Sequence, residues 1–146
     1  MIHQENTLGY RLKHGTQTNH DSVDALVMSV KPFDNLENYI RFLQLQAVFH
    51  KTVDAVYHNA ELNQRIHGLA DLARYDDVIL DLQDLHAAER TVTLPAPRPE
   101  GHQAIGWLYC AEGSNLGAAF LFKDAQRIDL TEQHGARHLA GHPDGR

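Results

Sequence analysis

Two glycines four residues apart lie inside an otherwise apolar segment, where they could serve the binding of a flat ligand. The run Glu112-Gly113-Ser114-Asn115-Leu116-Gly117 belongs to residues 103–126, which have apolar side chains on nearly every side of a predicted helix. A helix that is apolar all round lies in the centre of a fold. Each glycine costs such a helix about 1 kcal/mol relative to alanine. The pattern predicts either a close helix–helix crossing or a surface on which a planar ligand meets the backbone.

Several single polar side chains could complete a site around such a ligand. His20 borders the apolar face of the first predicted helix, where it is either a boundary residue or a ligand of a planar cofactor. Gln46 and His50 lie one turn apart on the second predicted helix, so they either cap a neighbouring loop or hold water in a pocket. Lys13 and Tyr109 are donors that could bind a carboxylate, or else ordinary surface groups.

The composition limits the class of partner. Against 19 Asp and Glu the chain has 13 Lys and Arg, a net charge of −6, so we expect no nucleic acid. Its single cysteine excludes an intrachain disulfide framework and a cysteine-rich zinc site. No apolar run approaches the ~20 residues of a membrane span, and the N-terminus has no signal-peptide core. One soluble, cytoplasmic domain is therefore expected.

The hydrophobic periodicity predicts an all-α fold. Proline at position 32 ends the first helix, and Asp34 with Glu37 has the spacing of a capping box for the second. Three prolines make residues 91–100 a loop. The predicted helices cover approximately residues 6–30, 35–58, 59–67, 69–87, 103–126 and 131–139.

Two further polar patterns have simple structural explanations. The helix over residues 69–87 carries a charged face, which we expect to face solvent: Asp71, Arg74, Asp77, Asp81 and Asp84. Three histidines at spacings of four could form a metal-binding helix face: His134, His138 and His142. Two glycines and a proline interrupt that segment, so a loop of surface histidines is the favoured interpretation. Motifs for phosphate, dinucleotide, di-iron and covalent haem binding are absent from the sequence.

The segments around His20 and the glycine pair resemble two helices of bacterial haem oxygenases. The run Thr16-Gln17-Thr18-Asn19-His20-Asp21-Ser22-Val23-Asp24 is similar to the proximal-helix motif of that family. Residues 106–119, which contain E-G-S-N-L-G, are similar to its distal helix. Weaker similarities in residues 33–50 and 135–139 keep the same order, so the likeness covers almost the whole chain. Members of the family usually continue with one more long helix, so the resemblance implies a single domain, residues 1–146, without that C-terminal helix.

The resemblance implies a haem oxygenase-like helical fold, with haem b sandwiched between a proximal helix and a kinked, glycine-containing distal helix. His20 would be the axial ligand of the iron, and Gln46 and His50 would hold the distal water network. The remaining implied haem-binding residues fall into two groups: Gly113, Ser114 and Gly117 would lie against the haem face, and Lys13 and Tyr109 would contact the propionates.

The implied reaction is oxidative cleavage of haem, which is both cofactor and substrate. With O2 and electrons from a separate ferredoxin- or NAD(P)H-dependent reductase, the products would be biliverdin, mainly the α isomer, with CO and free iron for iron acquisition. Two alternatives stay open at this point. One is a haem-binding or storage protein without catalysis, and the other is a cofactor-free helical interaction domain whose glycine face packs another helix. A monomer is expected in each case.

Overall fold

The computed structural model describes residues 7–93 and 95–141, and these ranges consist of helices joined by turns. No strand occurs in them apart from isolated bridges around Thr131, so the predicted all-α class is confirmed. None of their helices has the length and apolarity needed to cross a membrane. The helices are α1 (Leu8–Ser29), α2 (Leu36–Tyr57), α3 (Ala60–Arg65), a 3₁₀ turn (Ala70–Leu72), α4 (Tyr75–Asp84) and α5 (Gly101–Gln126).

The N-cap of α2 is one residue later than the predicted capping box. Asn35, and not Asp34, has the extended backbone of an N-cap, and its side-chain oxygen accepts a hydrogen bond from the backbone N–H of Asn38 at 2.9 Å. Thr7 and Asn59 cap α1 and α3 in the same way. Such an oxygen binds an amide that has no carbonyl partner within the helix, which stabilises the first turn.

The segment predicted as one helix over residues 69–87 is divided into the 3₁₀ turn and α4. Ala73, between them, has an extended backbone with φ −61° and ψ 137°. The side-chain oxygen of Asn63 accepts a hydrogen bond from the backbone N–H of Ala70 at 3.0 Å. This contact ties the turn to α3, and the chain then changes direction before α4 begins.

α2 is the central helix, because it is buried along most of its length and packs against both α4 and α5. Its N-terminal half shares an apolar cluster with α4, the end of α5 and residues 130–139. Its C-terminal half shares a second cluster with the start of α5. His50 lies between these two clusters along α2. The buried residues of α2 are Tyr39, Phe42, Leu43, Ala47, His50, Val53, Val56 and Tyr57.

The segment after α5 is a tight loop, so the short helix predicted over residues 131–139 is wrong. Carboxylates of α4 accept hydrogen bonds from its backbone amides: Asp84 from Gly135, and Asp81 from Arg137 and His138. These amides are therefore not available for helical hydrogen bonds. Gly135 also has a φ of 81°, in the left-handed region that favours glycine over other residues.

The sequence predicts that the charged face of α4 is exposed to solvent, but in the structure part of this face is buried. Asp71 is exposed, but Asp81 is completely buried. Both of its oxygens accept hydrogen bonds from nitrogen donors of Arg137 and His138. Burial of a carboxylate is tolerated when donors surround it in this way, because charge-assisted hydrogen bonds replace those of water.

The two described histidines of the three-histidine pattern, His134 and His138, do not share a helix face. His138 is buried and its Nδ1 lies 2.8 Å from a carboxylate oxygen of Asp81. His134 is exposed, as a surface loop predicts, whereas the burial of His138 contradicts that interpretation. Within residues 7–93 and 95–141 no group of three or more His, Cys, Asp or Glu side chains is placed to hold a metal ion. His142 lies outside the described residues.

Candidate functional site

One side of α5 presents an apolar surface that no other part of the described chain covers. Leu116 and Phe120 are 82% and 70% exposed, and Ile105 and Tyr109 are each about half exposed. Their positions differ by four, seven and four residues, which is the spacing of a single helical face. A continuous apolar surface of this kind marks a binding site for an apolar group.

Gly113 and Gly117 lie on this same face of α5, between Tyr109 and Phe120. A Cβ atom added at either glycine would meet no atom within 4 Å. The close helix–helix crossing considered from the sequence is therefore wrong, since it would place another helix against these positions. The two glycines instead make a low, open stretch of helix surface, on which a flat group can approach the backbone.

α1 carries the predicted iron ligand and contributes almost nothing to the protein core. None of its residues is buried. Its Val27 side chain is partly buried and packs against the apolar cluster that α2 shares with α4. The His20 side chain is 73% exposed, with Asp21 as its ionic neighbour at 3.5 Å. Lys13 is also exposed and lies two turns before His20, on the same side of the helix. The imidazole of His20 is thus accessible to an external ligand.

The structure does not join the α1 residues directly to those of α5. In the part of the chain that is described, no hydrogen bond or ion pair links Lys13 or His20 to α5; the interactions of α1 lie within the helix or its adjoining turns. A long helix with exposed apolar side chains, Leu8, Val23 and Leu26 among them, gains little stability unless another group covers them. Within the described residues, the α5 face and the apolar side chains of α1 other than Val27 therefore lack an apolar partner.

Gln46 and His50 occupy neighbouring turns of α2, as the sequence predicts. Gln46 is half-buried, and His50 is only 6% exposed. The Nδ1 atom of His50 is enclosed and has no hydrogen-bond partner among the described residues. Burial, followed by repulsion from the positive charges of His138 and Arg74, lowers the pKa of His50 to about 4. The ring is therefore neutral near pH 7, with one N–H and one bare nitrogen.

The depressed pKa of His50 predicts a pH dependence of stability. The pKa is 6.5 for an ordinary histidine and about 4 in the fold, so protons bind preferentially to the unfolded chain between these values. The neutral His50 ring therefore makes its full contribution to the free energy of unfolding above pH 6.5, and this contribution is lost as the pH falls toward 4. At 1.36 kcal/mol per pKa unit it amounts to about 3 kcal/mol.

Urea unfolding at several pH values measures this contribution. We expect the free energy of unfolding of the parent chain to fall more steeply between pH 6.5 and 4 than that of His50→Gln. His14→Gln, which removes an exposed histidine, is the control and should follow the parent. Equal slopes in the parent and His50→Gln would show that His50 does not titrate as described.

Glu112 fixes α5 beside Gly113, a role that the sequence analysis missed. The hydroxyl of Tyr57 donates to Glu112 Oε1 at 2.7 Å, and the side-chain amide of Asn115 donates to Oε2 at 2.8 Å. Burial and this hydrogen bond raise the pKa of Tyr57 well above its usual value. Ser114 donates its hydroxyl hydrogen to the carbonyl three residues earlier at 2.6 Å, so it offers an incoming ligand only acceptor capacity.

Comparison with known proteins places this geometry in one family. The family model described as Heme oxygenase matches residues 6–146. Heme oxygenase PigA of Pseudomonas aeruginosa is 38% identical over 154 residues, which cover 98% of this chain and 73% of that protein. A solved structure of the NO- and CO-bound heme oxygenase of Neisseria meningitidis is 59% identical in sequence and matches with a TM-score of 0.91. The match covers 96% of this chain and 70% of that chain. The chain therefore belongs to the heme oxygenase family.

Proposed function

We propose that the chain binds haem b between α1 and α5 and cleaves it with O2 to biliverdin, CO and free iron. As a member of its family, the chain is a haem-degrading oxygenase, with haem as its substrate and cofactor. The observation that carries the proposed binding site is the uncovered apolar face of α5 with its two open glycines. Haemin titration tests it: a saturable shift of the Soret band is expected, and its absence would contradict the site.

The residues of both faces have the chemistry that haem requires. The imidazole of His20 supplies a neutral nitrogen ligand of the kind that holds haem iron in globins and peroxidases. The apolar side chains of α5 match the porphyrin plane and exclude water from it. Gly113 and Gly117 leave room for that plane to approach the helix backbone. When bound, haem supplies the iron that activates O2 and the porphyrin that is cut.

The part of His50 and Gln46 in this proposal is to hold water on the side of the haem that reacts with oxygen. His50 remains neutral near pH 7, because its pKa is lowered to about 4. A neutral ring can hold water by one donated and one accepted hydrogen bond without placing a strong acid beside it. A positioned water can then carry a proton, which is a form of general acid catalysis.

We expect Gln46→Ala and His50→Ala each to slow haem turnover by about 10- to 100-fold, the usual effect of losing an outer partner of a metal site. Spectra of the ferric complexes should change little, since neither residue is proposed to bind the iron. The double variant should lose less than the product of the two single losses, because both act on the same water. Gln44→Ala is the control, since its amide is bonded to Ala88. Strictly multiplicative losses would contradict a shared water.

Lys13 and Tyr109 are proposed to fix the rotation of haem by binding its propionates. Charge-assisted hydrogen bonds to carboxylates are about twice as strong as neutral ones, so these two donors can select one orientation. Both side chains are exposed, on α1 and α5 respectively, and the proposed product is mainly α-biliverdin. Chromatography of the products should show this isomer in excess for the parent, and a changed ratio for Lys13→Ala with Tyr109→Phe. An excess of the β or δ isomer from the parent chain would contradict the assignment. So would an isomer ratio in the double variant equal to that of the parent chain.

The electrons and the cellular role form the remaining part of the proposal. The sequence has no phosphate-loop or dinucleotide-binding motif, which supports a separate ferredoxin- or NAD(P)H-dependent reductase as donor. Release of iron fits a role in iron acquisition. We further propose that residues 1–146 act as a single monomeric domain in the cytoplasm.

A further inference from the structure

α5 packs against the core through a row of mostly small side chains that does little to fix its rotation. The side chains that turn inward recur at alternating intervals of four and three residues, and every second one is alanine: Ala104, Leu108, Ala111, Asn115, Ala118, Phe122 and Ala125. Five of these are buried, and Asn115 and Phe122 are half-buried. Alanine is too short to act as a knob in the holes of a facing helix, so apolar packing alone specifies the rotation of α5 weakly.

Asn115, the polar member of this row, is connected to α2 through Glu112. The side-chain amide of Asn115 donates to Glu112 Oε2 at 2.8 Å, and the hydroxyl of Tyr57 donates to Glu112 Oε1 at 2.7 Å. Among the residues that the structure describes, the Tyr57–Glu112 bond is the one hydrogen bond or ion pair between α2 and α5. A single polar residue at a position of this kind can specify the register of packed helices.

Tyr57 is a firm point of attachment on α2. Its side chain is 3% exposed and belongs to the apolar cluster that α2 shares with the start of α5. Burial and then the hydrogen bond to Glu112 raise the pKa of the hydroxyl, so it stays protonated and donates to the carboxylate. Tyr57 also lies two turns after His50 on the same side of α2. The bond therefore relates α5 to the side of α2 that carries His50.

The position of Glu112 determines the direction in which the two open glycines face. Successive residues of an α-helix are about 100° apart, so Gly113 lies about 100° and Gly117 about 140° from Glu112 around the axis of α5. A rotation of α5 by about 20° would move the Cα atoms of the glycines by about 0.8 Å, because they lie about 2.3 Å from the axis. A misplacement of about 1 Å can slow a reaction by about 100-fold. A rotation too small to disturb the fold is thus large enough to affect catalysis.

We propose that Tyr57 and Glu112 are positioning residues that hold α5 in the rotation at which Gly113 and Gly117 face the haem. Both act through the backbone of α5 and not by contact with the reacting atoms. Without the hydroxyl of Tyr57, the half-buried carboxylate of Glu112 can turn toward water, and the row of alanines resists the rotation of α5 only weakly. The role in haem cleavage rests on the proposed function, whereas the hold on α5 does not.

The haem-free chain gives a direct test, because its one tryptophan lies on α5. Trp107 stacks on Phe49 of α2, with ring centroids 5.9 Å apart and an interplanar angle of 20°, so rotation of α5 changes its surroundings. Tyr57→Phe should shift the fluorescence emission of Trp107 while the far-UV circular dichroism stays parental. Tyr75→Phe is the matched control, since it removes a hydroxyl that donates to Glu89, outside α5. Unchanged emission in Tyr57→Phe, or the same shift in Tyr75→Phe, would overturn the proposal.

Single-turnover degradation of bound haem separates positioning from binding. Tyr57→Phe should slow this step by about 10-fold, as expected for a displacement of less than about 1 Å, and should change the haem affinity much less. The stretching frequency of CO bound to the haem complex should also shift, because the backbone of α5 moves relative to the bound ligand. A loss of affinity as large as the loss of rate would indicate general loosening of the fold and overturn the proposal.

Substitutions of Glu112 distinguish hydrogen bonding from charge. In Glu112→Gln the side-chain oxygen can still accept from Tyr57, and the amide can donate to the oxygen of Asn115, so the rate and the Trp107 emission should stay close to parental. Glu112→Leu should lose both, and adding Tyr57→Phe to it should cause no further loss, because the two changes break one bond. A loss in Glu112→Gln equal to that in Glu112→Leu, or a multiplicative loss in the double variant, would overturn the proposal. Failure of the parent chain to degrade haem would instead contradict the proposed function, and the Trp107 emission of the haem-free variants would still decide the hold on α5.

Discussion

His20→Ala should lose normal iron ligation while the protein stays folded. The side chain is 73% exposed and α1 has no buried residue, so its removal opens no cavity in the core. Loss of an outer partner of a metal ligand already costs about 10- to 100-fold in affinity or activity. Loss of the ligand itself should therefore lower haem turnover by at least about 100-fold. The absorption spectrum of the ferric complex and the far-UV circular dichroism measure the two effects.

Two controls make the assignment of His20 specific. His14→Ala removes another exposed histidine of α1, on a different side of the helix, and should keep the parental spectrum. Added imidazole should restore a parent-like ferric spectrum to His20→Ala, because it can occupy the vacated ligand position. A parental spectrum in His20→Ala without imidazole would reject His20 as the ligand.

Gly117→Leu should give the second large effect, with activity and stability changing in opposite directions. A leucine side chain has room at this position, since an added Cβ meets nothing within 4 Å. Replacing a mid-helix glycine should stabilise α5 by up to about 1 kcal/mol. The same side chain would occupy the surface proposed for haem and oxygen. Because a small displacement of reacting groups can cost about 100-fold, we expect turnover to fall by that order and haem affinity to fall much less.

The same substitution elsewhere provides the comparison. Gly15→Leu, at an open glycine of α1 on a different side from His20, should raise helix stability without affecting turnover. Turnover of Gly117→Leu at the parental rate would show that oxygen does not react against this part of α5. A loss of folding in Gly117→Leu would contradict the open space that the structure gives it.

Sequence alone was sufficient where local pattern determines the outcome. The helical periodicity, the prolines and the glycine pair predict the all-α class, α1, α2 and α5. The same pattern could not decide between a helix crossing and an open face at Gly113 and Gly117, because that depends on what packs against them. The segment that breaks at Ala73 is likewise held by a hydrogen bond from the backbone N–H of Ala70 to the side chain of Asn63, which helix propensity does not encode.

Asp81 and His138 show what local pattern misses. They are 57 residues apart in the sequence, and each has an ordinary surface explanation by itself. A signal for Asp81 did exist: it lies three residues after Val78 and directly before Leu82, on the apolar side of α4. Its meaning depends on the loop after α5 folding back onto α4. The carboxylates of α4 bind the amides of that loop, which is also why the predicted helix there does not form.

Haem turnover by the purified full chain tests the central claim most directly. With stoichiometric haemin, O2 and either ascorbate or a reductase as electron source, the account predicts loss of the Soret band. Biliverdin should appear with CO and chelatable iron in equal amounts. Catalase should leave the yield unchanged, which excludes bleaching by free peroxide. Haem that stays bound and intact under these conditions would identify a binding or storage protein and contradict the account.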